Sequence, residues 1–210
     1  MVFPLICVLI FGVVLLSGVR SLYLIMLVNG KDKKASKRNI PAKTIIVLGS
    51  GGHTKEILLI AQNLNKSNYT PRIYIQAKSD EISFKKVEEL EKNRKDFQIL
   101  KISRSRNVKQ PYLTSILTTL RATIESFPII WQEKPDLLLC NGPGTCIPLC
   151  LVVFFLKTLF LLHTKIIFVE SFCRVKTFSL SGKILYYLAD HIFVQWPNLN
   201  GNKYPRSIYK

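Results

Sequence analysis

The stretch that decides the fold reads TIIVLGSGGHTKEILLIAQNLN and covers residues 44–65. Residues 44–49 form a short apolar, β-branched run and predict a buried strand. From residue 54 onward apolar residues recur at helical spacing, namely at Ile57, Leu58, Ala61 and Leu64. The glycine-rich turn between them lies where open α/β sheets bind ligands. We therefore predict a strand-turn-helix unit with His53 in its ligand-binding turn.

The rest of the chain repeats this alternation. Further strands are predicted at residues 72–77, 97–102, 136–141, 165–171 and 191–196. Two further helices, over residues 82–92 and 112–131, separate them, and the longer one carries on one face Leu113, Ile116, Leu117, Leu120, Ile124 and Phe127. This alternation predicts a parallel sheet covered by helices on both faces. The predicted fold is α/β, with a single Rossmann-like domain over residues 43–210.

The N-terminal segment has the composition of a membrane anchor. Residues 2–28 are long enough to cross ~30 Å of hydrocarbon, and Arg20 is their only charge. A cleaved signal peptide is the alternative, but the run lacks a basic start and exceeds ~7–15 apolar residues. Residues 31–38 then carry five positive charges against Asp32, so they are predicted to be cytosolic. We predict a single transmembrane anchor over residues 1–28 and a basic linker over residues 29–42.

Residues 147–162 form the second most apolar segment of the chain. As a second membrane span the segment is short, and Lys157 interrupts it. Two interpretations remain: a helix that packs on the sheet while its outer face touches lipid, or a plain buried helix.

Composition restricts the classes of partner. Thirty Lys and Arg against 13 Asp and Glu give a formal charge of +17, which suits nucleic acid, acidic lipid or a phosphate-bearing substrate. No nucleic-acid-binding motif accompanies the charge, so we predict no nucleic-acid partner. The five cysteines include no CxxC pair, which indicates neither a disulfide framework nor a zinc site and fits a reduced compartment. No metal or cofactor is predicted.

Three loops follow predicted strands and are expected to meet at one edge of the sheet. The first, residues 49–55, contains Ser50, Gly51 and Gly52 before a helix N-terminus that can bind phosphate, although its spacing matches neither a P-loop nor GxGxxG. The second, residues 141–146, repeats this arrangement with Gly142, Gly144 and Thr145. The third, residues 170–183, places Glu170 at a strand end with Arg174 nearby.

These loops supply the candidate chemistry. His53 is either a polar cap of the following helix or a general base or phosphate donor, since imidazole exchanges protons near neutral pH. Glu170 is a candidate base or orienting group, and Arg174 a candidate phosphate ligand.

Three motifs carry a family resemblance: VLGSGGHTKEI (47–57), LLLCNGPGTCIPLC (137–150) and FVESFCRVKTFSLSGKILYYLADHIFVQWP (168–197). They resemble, in the same order, the membrane-anchored subunit of the two-part UDP-N-acetylglucosamine transferase of the endoplasmic reticulum. That enzyme adds the second N-acetylglucosamine to a dolichyl-diphosphate-linked sugar. More distantly, the motifs are similar to the acceptor-binding half of bacterial lipid-linked GlcNAc transferases.

The resemblance implies the N-terminal, acceptor-side half of a GT-B glycosyltransferase, inverting and inactive without its partner. That partner would be a soluble UDP-GlcNAc-binding catalytic subunit, and the acceptor a lipid-linked diphosphate sugar. The implied location is the endoplasmic reticulum membrane, with the C-terminal domain in the cytosol. The implied catalytic residues are His53 and Glu170, and the implied acceptor-binding residues are Ser50, Gly51, Gly52, Asn141, Gly142, Gly144, Thr145 and Arg174. Two alternatives remain: a structural tether without active-site groups, and a basic membrane protein that binds nucleic acid.

Overall fold

A computed structural model describes residues 12, 15–26, 38–106, 110–200 and 204–209. The described residues form one α/β domain. Its strands are β1 (Thr44–Val47), β2 (Arg72–Ala77), β3 (Phe97–Ile102), β4 (Leu137–Asn141), β5 (Lys165–Val169), β6 (His191–Val194) and β7 (Ser207–Tyr209). Its helices are α1 (Gly52–Asn63), α2 (Ser83–Leu90), α3 (Tyr112–Glu133), α4 (Cys146–Thr158) and α5 (Leu180–Leu185), with a 3-10 turn at Pro197–Leu199.

Within this described part the strands form one seven-stranded sheet in the order β3-β2-β1-β4-β5-β6-β7. Every neighbouring pair is parallel, so all strands end at the same edge. The chain runs outward from β1 to β3 and then returns to place β4 beside β1, with Thr44 opposite Leu137. The loops after β1 and β4 therefore leave adjacent strand ends in opposite directions, and such a switch point opens a crevice. The predicted parallel α/β fold is confirmed.

Both faces of the sheet are covered. All residues of β1, β2 and β4 are buried, as expected for central strands of a parallel sheet. Helices α1 and α2 pack on one face against Ile46, Tyr74 and Leu139. Helices α3, α4 and α5 pack on the other face, against Ile45 and Ile73 among others.

The six predicted strands are all present, whereas the 3-10 turn and two other short elements were not predicted. Strand β7 has three residues, and α5 has six. Neither is long enough to show a period in the sequence. Helix α4 ends at Thr158, four residues before the apolar run does.

Helix α4 packs on the sheet, as both remaining interpretations required. Nine of its 13 residues are buried, while Leu151 and Phe155 are exposed. Lys157 interrupts the apolar run because its Nζ donates to Asp190 Oδ2 at 2.8 Å, and both side chains are almost buried. Contact of this helix with lipid stays a prediction.

The predicted apolar face of α3 is present, and it is exposed. Leu117, for example, is 70% exposed, and Leu113, Ile116, Leu120 and Ile124 are exposed as well. The buried face of the helix carries Ala122, Ser126 and Ile130. Small residues at 122 and 126 let α3 approach its neighbour α4 closely, so the large apolar side chains lie on the outer side.

The predicted membrane anchor over residues 1–28 and the linker over 29–42 lie largely outside the described residues. The described part of the anchor, residues 15–26, is helical. Ser21 Oγ lies 3.4 Å from Thr158 Oγ1 at the end of α4, and the Arg20 guanidinium lies 4.3 Å from the centre of the Phe160 ring. No helix among the described residues has the length and hydropathy needed to cross a bilayer.

Candidate functional site

A cleft of about 630 Å³ opens at the carboxyl edge of the sheet, beside the switch point between β1 and β4. All three predicted loops reach it, and a fourth loop, after β3, completes its wall. The predicted site residues that line it are Ser50, His53, Gly142, Gly144, Thr145 and Arg174. The three loops that were expected to meet at one edge of the sheet therefore line the same cleft.

The His53 ring is oriented by a chain of hydrogen bonds. Its Nδ1 lies 3.2 Å from Asn141 Oδ1, and Asn141 Nδ2 donates to Glu56 Oε2 at 2.9 Å. Because a carboxylate only accepts, Asn141 presents its amide nitrogen to Glu56 and its oxygen to His53. His53 Nδ1 is therefore the donor in this contact, and in the neutral form of the ring the lone pair lies on Nε2. Ser171 Oγ extends the chain by donating to Glu56 Oε1 at 3.1 Å.

His53 lies next to Gly49 and Gly142 because its side chain packs directly against the backbone of these two residues. A Cβ built on Gly142 would be 2.5 Å from His53 Cε1 and 2.6 Å from Nδ1, and Gly142 has a φ of 56°. A Cβ on Gly49 would overlap His53 Cβ. The imidazole does not cap α1, since no side chain accepts a hydrogen bond from the first N–H groups of this helix and the partner of His53 Nδ1 is the Asn141 side chain. His53 is instead 35% exposed and faces the cleft.

Gly51 and Gly52 begin α1 beside the cleft without lining it. Gly51 has a φ of 63°, which favours glycine, and no heavy atom lies within 4 Å of a Cβ built on either residue. The first N–H groups of α1 lack a side-chain cap. They are available to an anion at the rim.

Glu170 lies below the surface of the cleft. It is fully buried, and its carboxylate accepts from Ser171 N at 2.9 Å, Ser179 N at 2.9 Å and Ser179 Oγ at 3.1 Å. A Cβ on Gly182 would overlap Oε2. The third loop is therefore folded around this carboxylate. The structure does not bring Glu170 to the cleft surface, whereas Ser179 beside it does line the cleft.

The loop after β3 contributes site residues that the sequence did not single out. Arg104, Ser105 and Arg106 line the cleft, and Arg104 Nη2 donates to Ser50 Oγ at 2.7 Å across it. The sequence does show a basic segment directly after this strand. In a chain with a formal charge of +17, such a segment is hard to distinguish from the other basic segments.

Glu125 of α3 fixes the base of this fourth loop. Its carboxylate accepts from Ser103 N at 2.8 Å and Ser103 Oγ at 2.7 Å, and from Lys78 Nζ at 2.9 Å. The hydrogen bond from the Ser103 hydroxyl, and then that from Lys78, lower the pKa of Glu125 to about 2. The carboxylate is therefore ionised, and it anchors the loop, throughout the physiological range.

The charge of the cleft selects its ligands. In the part of the chain that the structure describes, the lining side chains include three arginines, Arg104, Arg106 and Arg174, and no Asp or Glu. Nowhere in the described ranges do three His, Cys, Asp or Glu side chains form a group that could hold a metal ion. Burial, and then the neighbouring thiol of Cys146, raise the pKa of Cys140, which makes it a poor nucleophile. The cleft is suited to bind an anion and to accept a proton at His53.

Comparison with solved structures identifies the class of fold. The crystal structure of Acinetobacter baumannii MurG aligns with a TM-score of 0.55 at 17% identity, covering 75% of this chain and 43% of that one. The structure of LpCGTa in complex with UDP aligns with a TM-score of 0.52 at 13% identity, covering 80% and 52%. The domain thus has a fold similar to that of GT-B glycosyltransferases, and it spans about half of each such chain.

Sequence comparison gives the family. Residues 44–210 match the family described as "Oligosaccharide biosynthesis protein Alg14 like". The UDP-N-acetylglucosamine transferase subunit ALG14 of Rattus norvegicus is 48% identical over 79% of this chain and 80% of its own length. The subunits of the same name from Homo sapiens and Yarrowia lipolytica are 45% and 39% identical, over 79% and 80% of this chain and 80% and 79% of their own lengths. The chain belongs to the Alg14 family.

Proposed function

We propose that this chain is the membrane-anchored, acceptor-side subunit of a UDP-GlcNAc transferase. In this role it acts together with a soluble catalytic subunit, and the complex adds the second GlcNAc to GlcNAc-diphosphodolichol. The soluble subunit binds the nucleotide sugar, and this chain recruits it to the endoplasmic reticulum membrane. The observation that carries the proposal is the arginine-lined cleft in which the Asn141 side chain orients the His53 ring. The names of the family's relatives supply the class of enzyme, a UDP-N-acetylglucosamine transferase, and the acceptor is the one implied by the resemblance of the three loop motifs.

His53 accepts a proton in the proposed reaction. The acceptor hydroxyl attacks the anomeric carbon of the sugar, its proton passes to His53 Nε2, and the bond from the sugar to UDP breaks with the electron pair leaving on the diphosphate. Configuration at that carbon is inverted. The imidazolium that forms is stabilised through Asn141 by the Glu56 carboxylate, whose Oε2 lies 3.9 Å from His53 Nδ1. General-base assistance of this kind contributes ~10²–10⁴ in rate.

The remaining predicted residues bind and position the acceptor. The amides of the first two loops and the Arg174 side chain contact the acceptor diphosphate in this proposal. Asn141 is fully buried and acts through the His53 ring. Glu170 acts through the third loop, because its carboxylate is surrounded by the Ser171 and Ser179 groups that it holds.

An apolar surface next to the cleft supports a lipid-linked acceptor. Ile116 of α3 lines the cleft and is 65% exposed, and Leu180 and Ile184 are exposed apolar residues of its lining from α5. Eight residues further along the exposed face of α3, ~12 Å away, Ile124 lines an apolar groove of about 780 Å³ beside Ser21 of the N-terminal helical segment. An isoprenoid chain that leaves the cleft along α3 thus stays on apolar surface as far as the predicted anchor.

The names of the relatives, which describe a transferase subunit, support a partner-dependent enzyme. The domain covers 43% of the MurG structure that it resembles, and a complete GT-B enzyme needs two such domains. The proposed catalytic partner supplies the second domain and the donor site.

Reconstitution tests this proposal. The full chain, purified from membranes, is expected to show no transfer from UDP-GlcNAc to a lipid-linked GlcNAc diphosphate, and transfer is expected once the soluble partner is added. Robust turnover by the isolated chain would contradict the split-enzyme assignment. If the partner alone turns over the acceptor at the rate of the complex, the chain is a tether and the proposed acceptor site is wrong.

A further inference from the structure

The loop after β3 holds a buried hydroxyl without a partner. The Ser105 side chain is 2% exposed, and its Oγ has no hydrogen-bond partner among the described residues. Its backbone carbonyl accepts from Thr118 Oγ1 at 2.5 Å and from Thr119 Oγ1 at 3.3 Å, so α3 holds the residue in place. Buried polar groups are nearly always paired in folded proteins. This hydroxyl therefore indicates a ligand that completes its hydrogen bonding.

The Ser105 hydroxyl faces the second glycine-rich loop across the cleft. A Cβ built on Gly144 would lie 3.1 Å from Ser105 Oγ, and both residues line the cleft. Any side chain at position 144 would occupy the space beside this hydroxyl. Because position 144 is a glycine, no side chain of the second loop packs against Ser105 Oγ, which is itself buried from solvent.

The neighbouring charge identifies the chemistry of that ligand. Arg104 donates to the neutral Ser50 hydroxyl, and within the described part of the chain no carboxylate pairs with its guanidinium. Among the described residues, no acidic side chain lines the cleft. A hydroxyl donor next to an arginine that lacks a carboxylate partner matches the oxygens of a phosphate group.

We propose that Ser105 and Arg104 form a phosphate-binding subsite for the diphosphate of the lipid-linked acceptor, an assignment that rests on the function proposed above. The Ser105 hydroxyl donates to one phosphoryl oxygen, and the Arg104 guanidinium donates to the adjacent phosphoryl oxygens. The Ser50 hydroxyl fixes the orientation of the guanidinium. Neither residue exchanges a proton with the reacting sugar. The same chemistry exists in a phospholipid headgroup and in the diphosphate of the nucleotide sugar, and the experiments below separate these sources.

Kinetics of the complex with its partner give the first test. In the full chain, Ser105→Ala and Arg104→Gln are each expected to raise the KM for the acceptor about tenfold or more, since a hydrogen bond to a charged group is lost. The KM for UDP-GlcNAc stays unchanged. The control is Lys101→Gln, which removes a charge from an exposed position of β3 outside the cleft and leaves both constants within about twofold. A raised donor KM, or an unchanged acceptor KM, would overturn the assignment.

Thermal unfolding of the solubilised full chain gives a readout that does not depend on turnover. Methylenediphosphonate is expected to raise the Tm of the wild-type chain, and Ser105→Ala is expected to reduce that increase. Without the probe, Ser105→Ala leaves the Tm unchanged or higher, because it removes an unpaired buried hydroxyl. A lower Tm together with a full response to the probe means that Ser105 is structural, and the proposal fails. The response of the Tm to methylenediphosphonate can be measured even if the complex shows no transfer. The thermal experiment therefore separates failure of the subsite from failure of the proposed function.

Vesicle flotation separates the acceptor from a headgroup. The wild-type, Ser105→Ala and Arg104→Gln chains are expected to bind to the same extent as one another. This holds for phosphatidylcholine vesicles and for vesicles that also contain phosphatidylserine. If both variants lose binding to the anionic vesicles while the acceptor KM is unchanged, the two residues bind headgroups and the acceptor assignment is wrong.

Discussion

Substitution of Gly142 by alanine tests whether the position of the His53 ring matters for transfer. The added Cβ would lie 2.5 Å from His53 Cε1, whereas carbon atoms in contact are ~3.5 Å apart. The ring must therefore move by about 1 Å, away from Asn141 or out of the cleft. A displacement of this size at a catalytic group costs ~10² in rate. We expect turnover to fall by about that factor.

The same substitution has a separate cost in stability. Gly142 has a φ of 56°, and an L-residue in the left-handed region costs roughly 1–2 kcal/mol. For a domain of this size the Tm falls by ~2–8 °C. Ile73→Val is a matched control, because Ile73 is fully buried in β2 away from the cleft lining and its truncation costs a similar ~0.5–1.5 kcal/mol.

The assay is GlcNAc transfer by the complex at a temperature well below both Tm values, with partner binding measured in the same preparation. Gly142→Ala is expected to lose turnover while Ile73→Val keeps it, although both are destabilised. If Gly142→Ala transfers GlcNAc at the wild-type rate despite its lower Tm, the reaction does not depend on the ring position and the role of His53 is refuted.

Three further predictions follow from the contacts of the site and its surroundings. Glu170→Ala leaves buried donors of the third loop unpaired and should lower the free energy of unfolding by ~1–3 kcal/mol in denaturant titrations; no loss would show that the loop does not depend on this carboxylate. The pKa of Glu125 in the folded chain is about 2, below its ordinary value of 4.5. Its contribution to the free energy of unfolding is therefore complete above about pH 4.5 and disappears as the pH falls toward 2. The Tm advantage of wild type over Glu125→Gln should shrink over that window, and an advantage independent of pH would contradict the assignment. Leu117→Glu on the exposed face of α3 should weaken vesicle binding without lowering the Tm, whereas a lower Tm would mean that this face packs against protein.

The sequence predicted the sheet and the edge at which its loops meet, because both depend on local patterns. Short β-branched runs such as residues 44–49 become buried strands, and parallel strands end at one edge, so loops after them must meet. The three-residue strand β7 was missed because so few residues show no periodicity. For α3 the pattern predicted the apolar stripe through Leu117 but not its exposure, since periodicity identifies a face and not what covers it.

The site was predicted less completely than the fold. Strand-end position selected both His53 and Glu170, and only the structure shows that His53 faces the cleft and that Glu170 is enclosed by the loop that follows it. That difference depends on the path of residues 171–179, which no local pattern encodes. The contribution of Arg104 was missed because a basic residue in a strongly basic chain is informative only once its neighbours in space are known.

The most direct test of the central claim, that this chain supplies a catalytic group, is transfer by a complex that contains His53→Ala. Partner capture and membrane insertion should be unchanged, because His53 lies on the cleft surface and outside the core clusters of the domain. Turnover should fall by ~10²–10⁴ with little change in the KM for the acceptor, as expected for the loss of a general base. An intact complex that transfers GlcNAc at the wild-type rate would show that the chain is a tether and that the chemistry lies entirely in its partner.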